Sequence, residues 1–145
     1  MASLSIAEAL ELAEDQFRII EANPHKTWIK NATTETVMDY LWRTYNNETR
    51  HALELIDGIL LMYCVGKPWW AEKEIVQEDL LLRVGISTEG GMTDVAEFLE
   101  QTARILGAHG VAFGSSLSVR DAATLRLYRQ LGYTEQATLM YKEIE

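Results

Sequence analysis

Two carboxylates, Glu54 and Glu78, fall inside apolar runs that read as β-strands. A carboxylate fixed on a strand can take a proton from an ammonium group, directly or through one water, so either residue is a candidate general base. The plainer alternative is that both are solvated strand residues, as isolated carboxylates commonly are. Adjacent Trp69 and Trp70 lie in a loop and point different ways, so one can cap the core while the other faces a substrate pocket. Other chemistries find little support. His25, His51 and His109 are scattered and show no metal-ligand spacing with one another or with Cys64, so no metal is assigned. Cys64 sits in an apolar strand and reads as a small hydrophobe. No Ser-His-Asp grouping and no phosphate-binding P-loop occurs.

The elements that must position these residues follow from periodicity. Ser5 and Glu8 form a capping-box pair ahead of Ile6, Ala9, Leu10, Ala13, Phe17 and Ile20, whose spacing makes one apolar helical stripe ending at Asn23-Pro24. A second helix is predicted over residues 34–46. Asp57-Gly58 between two apolar runs signals a β-hairpin, because both turn residues accept positive φ. A long strand is predicted over residues 75–85, with Leu80-Leu81-Leu82 implying burial on both faces. A glycine turn at residues 87–91, a helix from Thr93 stopped by Gly107, and a strand over residues 110–117 complete a βαβ unit with a parallel strand pair. A helix over residues 120–131 and a last strand over residues 134–144 are expected to close the chain.

The 145 residues, 48% of them apolar, suit one α/β domain over residues 1–145 with a real core. Thirteen basic against 22 acidic residues leave a net charge of −9. That charge repels nucleic-acid backbones and anionic membranes and favours amines or basic protein patches. One cysteine makes no internal disulfide, and no signal-like or membrane-spanning run is seen, so the cytoplasm is the expected compartment.

The order of helices, hairpin, long strand, glycine turn, helix, strand and helix resembles the GNAT acyl-CoA N-acyltransferases. The strongest local match is the run from Asp121 to Tyr133. The family has an Asn, an Ala three residues later, a Leu-Tyr pair and then Leu-Gly-Phe. Here Leu127-Tyr128 and Leu131-Gly132-Tyr133 are in register, with Asp121 for the Asn and Thr124 for the Ala. The resemblance covers roughly residues 50–144 and implies a mixed α+β sheet with a central parallel pair, N-terminal helices and a βαβ C-terminal half.

The resemblance implies acetyl-CoA as acyl donor and an amine, on a small molecule or a protein lysine, as acceptor. It implies that the central parallel strands part, so that Arg83, Val84, Gly85 and Ile86 line the pantetheine arm. Ser87, Gly90, Gly91 and Met92 would hold the pyrophosphate on backbone amides at a helix start, and Asp121 stands at a further cofactor position. Tyr128 takes the place of the tyrosine that protonates the leaving thiolate; packing a helix on the sheet is its plainer role. Trp69 or Trp70 would face the acceptor. The turn departs from the family pattern: Met92 replaces a glycine, and Glu89 adds a charge that at about 5 Å from phosphate costs ~1–3 kcal/mol. A catalytically silent GNAT-shaped binding or structural protein is therefore the alternative, similar to small proteins of tailed bacteriophages and acting in the host cytoplasm with a phage or host protein partner or as a homodimer.

Overall fold

The computed structural model describes residues 4–24, 27–85, 91–114, 121–137 and 140–144, leaving out the side chains at 28, 121, 123 and 124. Helix α1 spans Ile6–Ala22. Its start is fixed by reciprocal bonds: Glu8 N–H donates to Ser5 Oγ and Ser5 N–H to Glu8 Oε1, both at 3.1 Å. Helix α2, Thr34–Tyr45, is capped by the Thr33 side chain, which accepts from Thr36 N–H. The two helices are tied by Glu21, whose Oε2 accepts from Thr34 N–H at 3.1 Å and from its hydroxyl at 2.6 Å. A short 3-10 turn, Thr27–Asn31, joins them.

Strands β1 (Ala52–Ile56) and β2 (Ile59–Gly66) form the expected hairpin, with Asp57 at φ 48° and Gly58 at φ 76°. Such paired positive values give the turn whose twist matches antiparallel strands. Strand β3, Ile75–Arg83, pairs antiparallel with β2, and β4, Gly110–Ala112, pairs parallel with β3. The sheet order is β1-β2-β3-β4. Helix α3, Gly91–Leu106, makes the crossover between β3 and β4, and Gly107 at φ 69° ends it. Helix α4 is Asp121–Gln130.

The sheet divides two cores. Leu10, Phe17, Met38, Leu41, Leu60 and Leu80 pack beneath α1 and α2. Ile59, Leu61, Val76, Val95 and Leu99 pack on the opposite face beneath α3. Leu81 and Leu82 join opposite cores, which is why the apolar run of β3 shows no alternation. Tyr133 stands edge-on to Phe113 at 4.8 Å, and its hydroxyl donates to Glu100 Oε2 at 2.7 Å, so tyrosine serves where a phenylalanine was expected.

The ladder between β2 and β3 slips once. Met62 pairs with Leu80 and Tyr63 with Glu78, so Asp79 is an extra residue, a β-bulge. The expected last strand is not formed: residues 134–137 and 140–144 carry no strand. Strand β4 offers a ladder of only three residues, and Met140 and Ile144 remain 89% and 82% exposed, so little burial offsets the cost of ordering a further strand. The last part of the strand expected over residues 110–117 lies outside the described residues.

Candidate active site

The parallel ladder is short. It holds Ile75 to Gly110, Val76 to Val111 and Gln77 to Ala112, while β3 continues to Arg83. From Glu78 onward no described strand pairs with the outer edge of β3. In the antiparallel ladder with β2, alternate residues turn their amides away from the partner, so those of the far half of β3 face this fork. Among the described residues the parallel ladder thus ends at Gln77, and Glu78 is the first residue beyond it, short of the expected parting near Gly85. At that position the N–H groups of Val84 and Gly85 both donate to the Gly58 carbonyl, at 2.8 and 3.0 Å, and Gln16 Nε2 donates to the Arg83 carbonyl at 2.6 Å.

At the root of the fork, Gly114 joins two of the sequence-derived candidates. Its N–H donates to Glu78 Oε2 at 3.0 Å, and its carbonyl accepts from the Tyr128 hydroxyl at 3.2 Å. Glu78 and Tyr128 are both buried, at 4% and 5% exposure. The Tyr128 ring lies against Phe113 with centroids 4.6 Å apart. Burial pushes the Glu78 carboxyl up to about 8, against the Gly114 N–H, which favours the anion; the charge of Asp79 adds to the rise. Glu78 is therefore no solvated strand residue.

The N-terminus of α3 lies where the resemblance implies the pyrophosphate. Gly91 is its first residue, at φ 41°, a conformation that favours glycine. A Cβ built there would lie 4.0 Å from Arg83 Nη2, so that guanidinium stands beside the helix start. Gly91 N–H is bonded to Asp57 Oδ2 at 2.8 Å. In the sequence Asp57 signals only a turn. Met92 packs its side chain against the core beneath α3. Ile86, Ser87, Glu89 and Gly90, and the Asp121 side chain, lie outside the described residues.

The remaining candidates are not gathered at the fork. Glu54 lies on β1, two strands from β3 and so about 10 Å away across the sheet. Tyr63 stands between them as the register partner of Glu78, edge-on to Phe98. Its phenol is held above the usual range by burial and then by the Glu54 charge. Trp69 and Trp70 are 95% and 72% exposed, so neither caps the core.

A second polar group forms on the other face of the sheet. Asp79, the bulge residue, faces His51, whose Nε2 lies 2.6 Å from Asp79 Oδ2, while Cys64 Sγ donates to the same oxygen at 3.7 Å. Linear spacing hid this group, because its members come from the start of β1, from β2 and from β3. Among the described residues no helix is long and apolar enough to cross a membrane.

No family profile and no curated protein sequence matches the chain. Solved structures do match. A possible acetyltransferase from Clostridium difficile 630 superposes with a TM-score of 0.64 at 10% identity, over 99% of this chain and 94% of that one. A GNAT family acetyltransferase of Staphylococcus aureus gives 0.59 at 12% identity, over 97% and 94%. AAC(6')-Iy, solved in complex with the bisubstrate analogue CoA-S-monomethyl-acetylneamine, gives 0.58 at 10% identity, over 94% and 91%. What is shared at such identities is the architecture: this chain has the GNAT fold, with four α-helices around a mixed sheet among the described residues.

Proposed function

We propose that the chain is a GNAT-type N-acetyltransferase that moves an acyl group from acetyl-CoA to an amine. The observation that carries this reading is the fork itself, with Glu78 and Tyr128 both bound to Gly114 at the point where β3 and β4 part. Along β3 from Glu78 no described strand takes the outer main-chain groups, and in this reading they pair with an extended amide-bearing arm. Arg83 and the first amides of α3 offer positive charge to its phosphates.

In this reading Glu78 is the base. A carboxyl near 8 faces an alkylammonium of pKa about 10.4 with a deficit of about 2 units, ~3 kcal/mol; an ordinary carboxyl would face about 6 units, ~8 kcal/mol. The neutral amine nitrogen bonds to the thioester carbon and the carbon–sulfur bond breaks. Glu78 takes the ammonium proton before attack and releases it to solvent, the acylated nitrogen then gives its second surplus proton to the freed Glu78 carboxylate, and the departing sulfur takes the proton of the Tyr128 hydroxyl, which solvent restores. Glu54, Tyr63 and the exposed Trp69 and Trp70 border the acceptor side, and the net charge of −9 favours a cationic acceptor. The analogue bound by AAC(6')-Iy joins CoA to an amine-bearing molecule, which supports an amine as acceptor class.

One observation favours the second reading, a catalytically silent binding protein. The first amide of α3 is already satisfied by the Asp57 carboxylate, which competes with a phosphate for that helix end. The two readings separate on calorimetry with acetyl-CoA, followed by an assay of thiol release with a panel of amines. Binding with amine-dependent release supports the transferase. No heat and no thermal shift at millimolar acetyl-CoA leaves the silent protein.

A further inference from the structure

The donor atoms His51 Nε2, Cys64 Sγ and Asp79 Oδ2 all lie within 4.8 Å of one another, on the face of the sheet opposite Glu78. We propose that these three residues form a binding site for a zinc-class divalent cation, with water in the fourth position. The donor set mixes imidazole, thiolate and carboxylate, the three side-chain types that bind zinc in three-ligand sites. The separations already approach those around a tetrahedral ion. Sulfur to oxygen is 3.7 Å, and the 2.6 Å nitrogen-to-oxygen contact needs to open by only about 0.6 Å to span two ligands at ~2 Å from one metal.

A second layer of partners holds two of the donors. Tyr40 Oη lies 2.6 Å from His51 Nδ1, and the two rings meet edge-on at 5.5 Å. A hydroxyl both donates and accepts, so Tyr40 serves either imidazole tautomer. With Nε2 bonded to Asp79, Nδ1 accepts from Tyr40; with Nε2 on a metal, Nδ1–H donates to it. Gln77 Nε2 donates to Asp79 Oδ1 at 2.9 Å, leaving Oδ2 for the shared centre. Outer partners on both the imidazole and the carboxylate are the usual means of orienting metal ligands. The site also has an entry: the His51 side chain is 9% exposed and that of Asp79 27%, and Cys64 is half-buried. Asp79 is the extra residue between the Tyr63–Glu78 and Met62–Leu80 pairs, so the site sits at the bulge, on the face opposite Glu78. A bound ion would clamp the start of β1 to β2 and β3 at the one place where their ladder slips.

The test uses the full chain, free of any polyhistidine tag, stripped with chelator and titrated with cobalt(II) as the spectroscopic probe for zinc. The expected result is a stoichiometric site with a near-ultraviolet thiolate-to-cobalt charge-transfer band, bleached by zinc, and a rise in melting temperature with zinc. Because Cys64 is the single cysteine, the band reports on that side chain. Cys64→Ser abolishes it, His51→Gln weakens binding at least tenfold, and Gln77→Ala, which touches no metal, weakens it by about 10-fold or more. Cobalt bound without the charge-transfer band, no saturable binding by the folded wild-type chain, or unchanged affinity in His51→Gln overturns the proposal. In those cases the group is only a hydrogen-bonded His–Asp pair.

Discussion

Glu78 and Asp79 are neighbours on β3, yet their carboxylates serve opposite faces of the sheet. Glu78 reaches Gly114 at 3.0 Å beneath α4, and Asp79 reaches His51 at 2.6 Å beneath α2. Plain alternation already separates neighbouring side chains. The bulge does more, because it places Asp79 and Leu80 on one face and restarts the pattern. The same slip lies beside the end of the described β3–β4 ladder, so both polar centres adjoin one local irregularity.

Replacing Glu78 with Gln keeps the volume and removes the base. Turnover with an amine acceptor is expected to fall by about 10²- to 10⁴-fold, with the affinity for acetyl-CoA nearly unchanged. Steady-state kinetics beside calorimetry separates the two effects.

Glu78 also ties stability to pH. Its folded pKa of about 8 exceeds the ordinary value of 4.5, so the unfolded chain ionises first as pH rises. The contribution of this group is fully present below about pH 4.5 and is lost progressively up to about pH 8, by at most ~5 kcal/mol. Glu78→Gln should flatten that decline and melt higher than the parent at pH 8 and above. Denaturant titrations across the range read this directly.

Tyr128→Phe removes the hydroxyl that bonds the Gly114 carbonyl and, in the mechanism, the proton for the departing sulfur. A stability loss of about 1 kcal/mol is expected from the hydrogen bond. The fall in kcat should be larger, about 100-fold. A leaving thiol of lower pKa should recover part of the rate, which simple loss of packing would not allow.

Asp57→Asn tests the competition at the start of α3. Asparagine tolerates the positive φ of the turn, so the hairpin should persist at a cost of about 1 kcal/mol. With the carboxylate gone, acetyl-CoA should bind up to about tenfold more tightly, measured by calorimetry at fixed ionic strength.

Much of the scaffold can be read from local chemistry. The Ser5–Glu8 box, the Asp57-Gly58 turn and the stop at Gly107 each satisfy backbone groups within a few residues, so sequence neighbours suffice to announce them. Tyr128 and Glu78 were legible as candidates by type and position. Their joint attachment to Gly114 was not, since it depends on where β4 ends. The bulge at Asp79 is set by strand register and has no composition signal of its own, so the His51–Cys64–Asp79 group stayed hidden with it. Exposed Trp69 and Trp70 show the opposite failure: aromatic residues suggest burial, but the loop holds them clear of both cores. The expected final strand failed for a related reason, because β4 is only three residues long and Met140 and Ile144 gain little burial.

If the acyl donor lies along β3 beyond Glu78, as proposed, it shields the amides on that edge. Amide hydrogen exchange of residues 78–83, with and without saturating acetyl-CoA, tests it most directly. Slower exchange is expected at alternate residues of that stretch and at the first turn of α3, with little change in β1. Unchanged exchange along β3 while acetyl-CoA is demonstrably bound, or protection confined to another face of the sheet, would contradict it.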